Sequence, residues 1–242
     1  MAKKTPGRCV HCLEYVGALT DDHLFPRSWY PTTTPSNLEK WKFPACGPCN
    51  RDYGRLEEDL RLLLAACVDP RADAAAGIWA KAFDSIDPEK ARSPIDALKR
   101  KSARTRFLRR VREAEPSMSR SSLPEIYSDR PKGTLALEVP AEETHRFIEK
   151  LIRGTVYLTE GRYVEKDQEV SVSLLRPEDG QPIVTLIEQF GALHERGPGI
   201  RIWKVVAEDA ETNSLFMFDI WDQFRFHGAV MDHEQRTPLN GL

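Results

Sequence analysis

The chain has 242 residues, with 35 lysines and arginines against 37 aspartates and glutamates, and 40% of it is hydrophobic. This length and composition predict a globular core in one large domain or two smaller ones. The longest apolar run, 62–68, is far shorter than the roughly 20 residues that a bilayer crossing needs, so we expect no membrane partner. No apolar segment follows the basic N-terminus, so we expect a cytoplasmic protein without a secretory signal.

Four of the five cysteines form two pairs with C-x-x-C spacing, Cys9 with Cys12 and Cys46 with Cys49. In a cytosolic chain two such pairs are more typical of a metal site than of disulfides. Each C-x-x-C turn brings two thiolates toward one ion, and two turns complete a closed tetrahedral site. We therefore predict a structural zinc ion at these four cysteines, with His11 as an alternative ligand inside the first turn.

The elements predicted for the first half begin with short strands in a region rich in turn-forming residues. The candidate strands are 16–19 and 41–43. A helix follows the second cysteine pair, because apolar residues spaced along 56–67 share one helical face. Cys67 lies on that face, which favours a small buried side chain over a catalytic thiol. Residues 71–112 are predicted to add further helix.

The second half is predicted to be a separate α+β domain of unknown role. The sequence between the halves, 113–133, has the composition of a linker, so the predicted domains are 1–112 and 134–242. A strand is expected at 134–139 and a helix at 142–153, and 182–193 fits either type. Strand-like runs are found at 155–163, 169–175, 200–207 and 214–221. The predicted fold class is therefore α+β with a mainly antiparallel sheet.

Charge divides along the same boundary. Residues 1–130 hold 23 basic and 18 acidic side chains, a net charge of +5, whereas residues 131–242 hold 12 and 19, a net charge of −7. The run 99–112 contains eight basic residues and no acidic one. A near-neutral chain thus contains a basic half, which is the half expected to meet an anionic partner such as nucleic acid.

The polar residues between the cysteine pairs match the needs of phosphodiester hydrolysis. That reaction needs a base to activate water, a cation to stabilise the developing charge, and a rigid scaffold. His23, at the end of a short strand, suits the base. Asp22 and Asn50 offer the oxygen ligands that Mg²⁺ or Mn²⁺ prefers. Asn37 can brace the intervening loop through backbone hydrogen bonds.

The order C-x-x-C, D-H-x-x-P, N and C-x-x-C-N resembles the HNH endonuclease family, in the variant whose final residue is Asn and whose ββα-metal site is braced by zinc. The resemblance covers roughly residues 8–60. It implies a nuclease module in which His23 is the general base, Asp22 and Asn50 bind the catalytic divalent ion, and Asn37 braces the loop. Many relatives have Lys shortly after the final Asn. Here Arg51 or Arg55 would serve the phosphate instead, and Asp52 is a competing ligand.

The pattern raises three functional hypotheses. The first is a metal-dependent endonuclease acting on DNA, for which a homodimer is an alternative to the monomer. The second is a non-catalytic, zinc-stabilised DNA-binding or regulatory module. The third, a zinc nucleobase deaminase, is excluded because no His-x-Glu precedes a Pro-Cys-x-x-Cys motif. The candidate nucleic-acid-binding residues are Arg27, Arg51, Arg55, Lys99, Arg100, Lys101, Arg104, Arg106, Arg109 and Arg110.

Overall fold

The computed structural model describes residues 5–113, 135–173 and 177–232. Nearly all of the predicted linker, 113–133, lies outside these ranges. The two strands that flank the gap are β5 (Val111–Glu113) and β6 (Leu135–Leu137), and they pair with each other in antiparallel fashion. Glu113 and Leu135, on either side of the gap, are therefore partners in adjacent strands.

The N-terminal region consists of two small antiparallel hairpins followed by a long helix. The first hairpin pairs β1 (Gly7–Arg8) with β2 (Tyr15–Val16), and the second pairs β3 (Leu19–His23) with β4 (Lys42–Cys46). Helix α1 (Gly47–Cys67) begins immediately after β4, and Pro48 in its first turn suits a helix start because its missing N–H needs no partner there. Strand β3 thus delivers Asp22 and His23 beside the start of α1.

Two further helices pack beside α1. They are α2 (Ile78–Ile86) and α3 (Pro94–Leu108). The start of α3 is fixed by Ser93, whose side chain accepts a hydrogen bond from the Asp96 backbone N–H, and by Pro94 in the first turn. The prediction of further helix over 71–112 is confirmed for these two helices, which a 3₁₀ turn at Pro88–Lys90 joins, but 111–112 belong to strand β5.

Helix α4 (Ala141–Glu160) corrects one prediction. The segment 155–163 was expected to be a strand, because it is rich in Thr, Val and Tyr, but residues 155–160 continue the helix. Thr155 and Val156 are buried in the helix, so tertiary packing outweighs the strand preference of β-branched side chains. The helix ends at Gly161, which adopts a left-handed conformation with φ +68°.

The C-terminal half is built on a five-stranded sheet in which every pairing is antiparallel, with the spatial order β7-β11-β10-β9-β8. Its elements are β7 (Gln168–Ser173), α5 (Pro177–Phe190), β8 (Ala192–Glu195), β9 (Ile200–Ala207), β10 (Ala210–Ile220) and β11 (Phe224–Asp232). The ambiguous segment 182–193 is mainly helix α5. Strand β11 was not among the predicted strands. The α+β class with antiparallel sheets is confirmed.

One large hydrophobic core joins the two halves of the chain. Trp29 stacks on Phe147 of α4 with ring centroids 4.7 Å apart, and the Trp221 indole N–H donates to the Trp29 carbonyl over 2.8 Å. All three side chains are fully buried. The segments 1–112 and 134–242 therefore pack on each other through a shared core. None of the helices within the described ranges has the length and apolar character that crossing a membrane requires.

Candidate functional site

The four predicted zinc ligands come together at the junction of the two hairpins. Their sulfur atoms all lie within 4.8 Å of one another, and the Cys12 and Cys46 sulfurs are 3.9 Å apart. A tetrahedral ion with sulfur bonds of about 2.3 Å requires a sulfur separation of about 3.8 Å, so the cluster has the size of a metal site. The Cys46 backbone N–H also donates to the Cys9 sulfur over 3.2 Å. These four cysteines could hold a metal ion.

His11 and Cys67 do not belong to the cluster of four sulfurs. His11 turns its Nε2 toward the Asp22 carboxylate at 2.9 Å, and its ring lies 4.3 Å from that of Tyr53. Cys67 is at the far end of α1, packed against the main core, where burial raises the pKa of its thiol. This is the environment of a packing residue and not of an activated nucleophile.

His23, the last residue of β3, opens onto a cleft of about 680 Å³. Three cationic side chains, from Arg27, Lys40 and Lys42, line this cleft, and one carboxylate, from Glu39, accompanies them. Leu158 of α4 forms part of the wall, so the C-terminal half contributes to the cleft. The cleft therefore places a candidate base in a mainly positive concave surface.

The contacts of His23 favour a neutral imidazole. The Arg27 Nε–H donates to His23 Nε2 over 3.1 Å, which requires an unprotonated Nε2 and puts the ring proton on Nδ1. Burial lowers the pKa of His23, and the charges of Arg27 and Lys42 lower it further. A neutral histidine can accept a proton from water, which is the state a general base needs.

Asp22, the residue before the base, is buried and has both oxygens engaged. Its Oδ1 accepts from the Lys150 ammonium over 2.9 Å, and its Oδ2 lies 2.9 Å from His11 Nε2. Burial opposes ionisation, but the hydrogen bond from His11 and the charge of Lys150 hold the pKa of Asp22 below its usual value. Asp22 is thus an ionised carboxylate whose partners come from this protein's own side chains.

Lys150 belongs to α4 and is fully buried. It donates to the Asp22 carboxylate, to the His23 backbone carbonyl over 2.8 Å, and to the Glu57 carboxylate of α1. Burial raises the pKa of Glu57 to about 7, although the nearby ammonium acts in the opposite direction. Close packing brings α4 to this position: a Cβ added at Gly154 would lie 2.4 Å from the Phe43 ring.

The two asparagines occupy different surroundings. The Asn50 amide nitrogen donates to Thr20 Oγ1 over 2.9 Å and to the Asp21 carbonyl over 3.2 Å, so Asn50 ties the start of α1 to β3. Asn37 is exposed in a turn and, within the described ranges, makes no side-chain hydrogen bond. The bracing role expected of Asn37 stays a prediction, as does the metal-binding role of Asn50. The competing ligand Asp52 pairs with Arg146 of α4.

The predicted nucleic-acid-binding residues divide by their contacts. Arg100 is tied to Asp96 and to the Asp84 carbonyl, and Arg106 and Arg110 form ion pairs with Asp59 and Glu143. The others on α1 and after it are exposed and, within the part of the chain that the structure describes, have no ion pair. These are Arg51, Arg55, Lys99, Lys101, Arg104 and Arg109.

Sequence reasoning missed four residues of this region. Lys40 and Lys42 flank Trp41, and no motif in the sequence links these two charges to the site. Glu57 and Lys150 belong to helices, where a charged residue normally faces solvent. The only signal for Lys150 was its place among the apolar residues of 147–152. Comparison with protein-family models, with curated proteins and with solved structures finds no match to this chain.

Proposed function

We propose that the protein is an endonuclease that hydrolyses phosphodiester bonds of DNA, with His23 as the general base. The observation that carries the proposal is the position of His23 at the end of β3, facing a cleft lined by Arg27, Lys40 and Lys42. A neutral imidazole beside three cationic side chains is suited to a polyanionic substrate, because it can activate water beside a bound phosphate. The resemblance of residues 8–60 to HNH endonucleases agrees with this chemistry.

In the proposed mechanism Arg27 has two partners in turn. In the free protein its guanidinium donates to His23 Nε2. A phosphate oxygen in the cleft is a stronger acceptor for a guanidinium than an imidazole nitrogen, because it is charged. Substrate binding would therefore draw Arg27 to the phosphate and free His23 Nε2 to take a proton from water. Lys40 and Lys42 would stabilise the negative charge that develops on the phosphate.

The unit that would carry this chemistry is the antiparallel pair β3–β4 followed by α1, and we propose that it is a ββα-metal module. We propose zinc as the ion of the four-cysteine cluster, since four thiolates at this spacing match its tetrahedral preference. Such a closed site has no open ligand position, so zinc would hold the scaffold and take no part in hydrolysis.

The divalent catalytic ion implied by the resemblance does not fit at Asp22 in this structure. One carboxylate oxygen accepts from Lys150 and the other faces His11, and only 4% of the residue is exposed. Asn50, the second implied ligand, uses its amide nitrogen to hold β3, which leaves its carbonyl oxygen for other partners. No step of the proposed mechanism is therefore assigned to an ion on Asp22.

The proposal is tested by nicking of a supercoiled plasmid in Mg²⁺ or Mn²⁺ buffer. His23→Ala is expected to lower the nicking rate by at least about 100-fold, the usual contribution of a general base. The matched control is His145→Ala, since His145 is an exposed histidine of α4. The control should nick at the wild-type rate.

Two results would contradict the catalytic proposal. Undiminished nicking by His23→Ala would remove His23 from the mechanism. Absence of nicking by every protein, combined with retained DNA binding, would favour the alternative of a zinc-stabilised DNA-binding module. The exposed cations of α1 and α3 favour DNA binding in either case. One active site per chain would cut both strands most simply as a homodimer, which stays a prediction.

A further inference from the structure

Lys150 has the contacts of a cation built into the site. An ammonium has three N–H donors, and Lys150 directs them at the Asp22 carboxylate, the His23 carbonyl and the Glu57 carboxylate. The side chains of Lys150, Asp22 and Glu57 are exposed by 0%, 5% and 7%. A charge is buried this completely only where it is paired, so the pairing is a specific feature of the fold.

The packing of α4 explains how the ammonium reaches the carboxylates. Gly154 lies one turn after Lys150 on the same helix face and has no side chain to keep α4 away from Phe43 and Leu24. One turn before Lys150, Arg146 pairs with Asp52 of α1. This face of α4 therefore presents two cations to carboxylates of the N-terminal half, and a glycine lies where α4 packs against Phe43 and Leu24.

We propose that the Lys150 ammonium is the resident cation of the Asp22 carboxylate, in the place where the HNH resemblance implies an exchangeable divalent ion. Lys150 is then a positioning residue, because it holds both Asp22 and the backbone of His23 at the end of β3. The role of His23 as the positioned base rests on the proposed function. The occupancy of Asp22 by Lys150 does not, because it concerns binding alone.

The first test measures Mn²⁺ binding by electron paramagnetic resonance, with the full chain, its metal-loaded cysteine cluster intact, and no DNA present. Wild type and Asp22→Asn are expected to bind the same amount of Mn²⁺, because the lysine already occupies Asp22. One equivalent bound by wild type and lost in Asp22→Asn would overturn the proposal.

The second test removes the ammonium. Lys150→Gln is expected to gain one equivalent of Mn²⁺, and the double variant Lys150→Gln/Asp22→Asn is expected to lose it. Lys166→Gln is the matched control, since Lys166 is a surface lysine with a side chain 75% exposed, and it should gain none. A folded Lys150→Gln protein that binds no more Mn²⁺ than the double variant would overturn the proposal.

The proposal can still be decided if Lys150→Gln does not fold or if the protein does not cleave DNA. Circular dichroism shows whether Lys150→Gln is folded, and if it is not, the comparison of wild type with Asp22→Asn decides. Neither test depends on cleavage. A protein that fails to nick DNA but shows the expected Mn²⁺ binding would refute the proposed function and leave the occupancy of Asp22 by Lys150 standing.

Discussion

Asp22 and Glu57 are buried carboxyl groups that share the Lys150 ammonium, yet their pKa values move in opposite directions. Asp22 also has His11 as a partner, and its pKa is held below the usual value, whereas burial raises the pKa of Glu57 to about 7. The hydrogen bond from His11 lowers the pKa of Asp22, whereas the negative charge of Asp22 adds to the effect of burial in raising the pKa of Glu57. At neutral pH Asp22 is therefore ionised, whereas Glu57 is close to its pKa.

The burial of His227 in β11 predicts that the folded protein loses stability in acid. His227 is 7% exposed, and neither ring nitrogen has a hydrogen-bond partner within the described ranges. Burial lowers the pKa of His227, and the charge of Arg225 lowers it further. The unfolded chain therefore takes up a proton below about pH 6.5 that the folded chain resists, so folding stability falls as the pH drops, by at most about 1.4 kcal/mol per pH unit.

His227→Gln is expected to lack this contribution. Urea unfolding at several pH values between 7.5 and 5 should show the variant gaining free energy of unfolding relative to wild type as the pH falls. His145→Gln, at an exposed position of α4, should follow wild type throughout. Parallel pH curves for His227→Gln and wild type would show that His227 is not the acid-sensitive group.

At the scale of elements, α4 is the helix on which the site depends. It packs against the β3–β4 hairpin on one side and against β11 of the sheet on the other. A Cβ at Gly154 would lie 2.4 Å from Phe43 and 2.7 Å from Leu24, so α4 has no room to spare on this side. The close packing of α4 on the β3–β4 hairpin, which brings Lys150 to Asp22, therefore depends on one glycine in the interior of the helix.

Gly154→Ala is expected to lower the free energy of unfolding by about 1–3 kcal/mol, because overpacking outweighs the better helix propensity of alanine. The matched control is Gly54→Ala in α1, where a Cβ meets nothing within 4 Å. There the gain in helix propensity alone is expected to stabilise the protein by up to about 1 kcal/mol. Urea unfolding measures both, and equal effects at the two glycines would contradict the steric account of α4.

At the scale of the whole molecule, the two halves depend on each other despite their opposite net charges. The basic half supplies the cysteine cluster, His23 and most of the cleft, and the acidic half supplies Lys150 and Leu158. The stacking of Trp29 on Phe147 and its hydrogen bond from Trp221 lie at the centre of the shared core. We therefore expect the chain to unfold as one cooperative unit.

Phe147→Ala tests this cooperativity. Removing the buried ring is expected to cost about 3–5 kcal/mol of unfolding free energy. Unfolding followed by far-ultraviolet circular dichroism and by tryptophan fluorescence should give one coincident transition in wild type and in the variant, shifted to lower urea in the variant. Two separated transitions would instead support independent domains at 1–112 and 134–242.

The sequence by itself determined the features that rest on short spacings. The C-x-x-C turns predicted a four-sulfur cluster, and the apolar periodicity of 56–67 and the strand pattern of 200–207 predicted elements that the structure contains. Each depends on residues a few positions apart, where backbone geometry limits the arrangements. The same local evidence misassigned 155–163 as strand, whereas 155–160 are helix because burial on α4 outweighed residue preference, and 161–163 follow the helix without strand structure.

Only the tertiary structure decided which partners the site residues have. Asp22 and Lys150 are 128 positions apart, and no local pattern links a strand residue of one half to a helix residue of the other. Sequence alone suggested a carboxylate free to bind a divalent ion, whereas the packing of α4 places an ammonium on it. The physical reason is that pairing of buried charges depends on how distant elements approach, and that approach is set by the shared core.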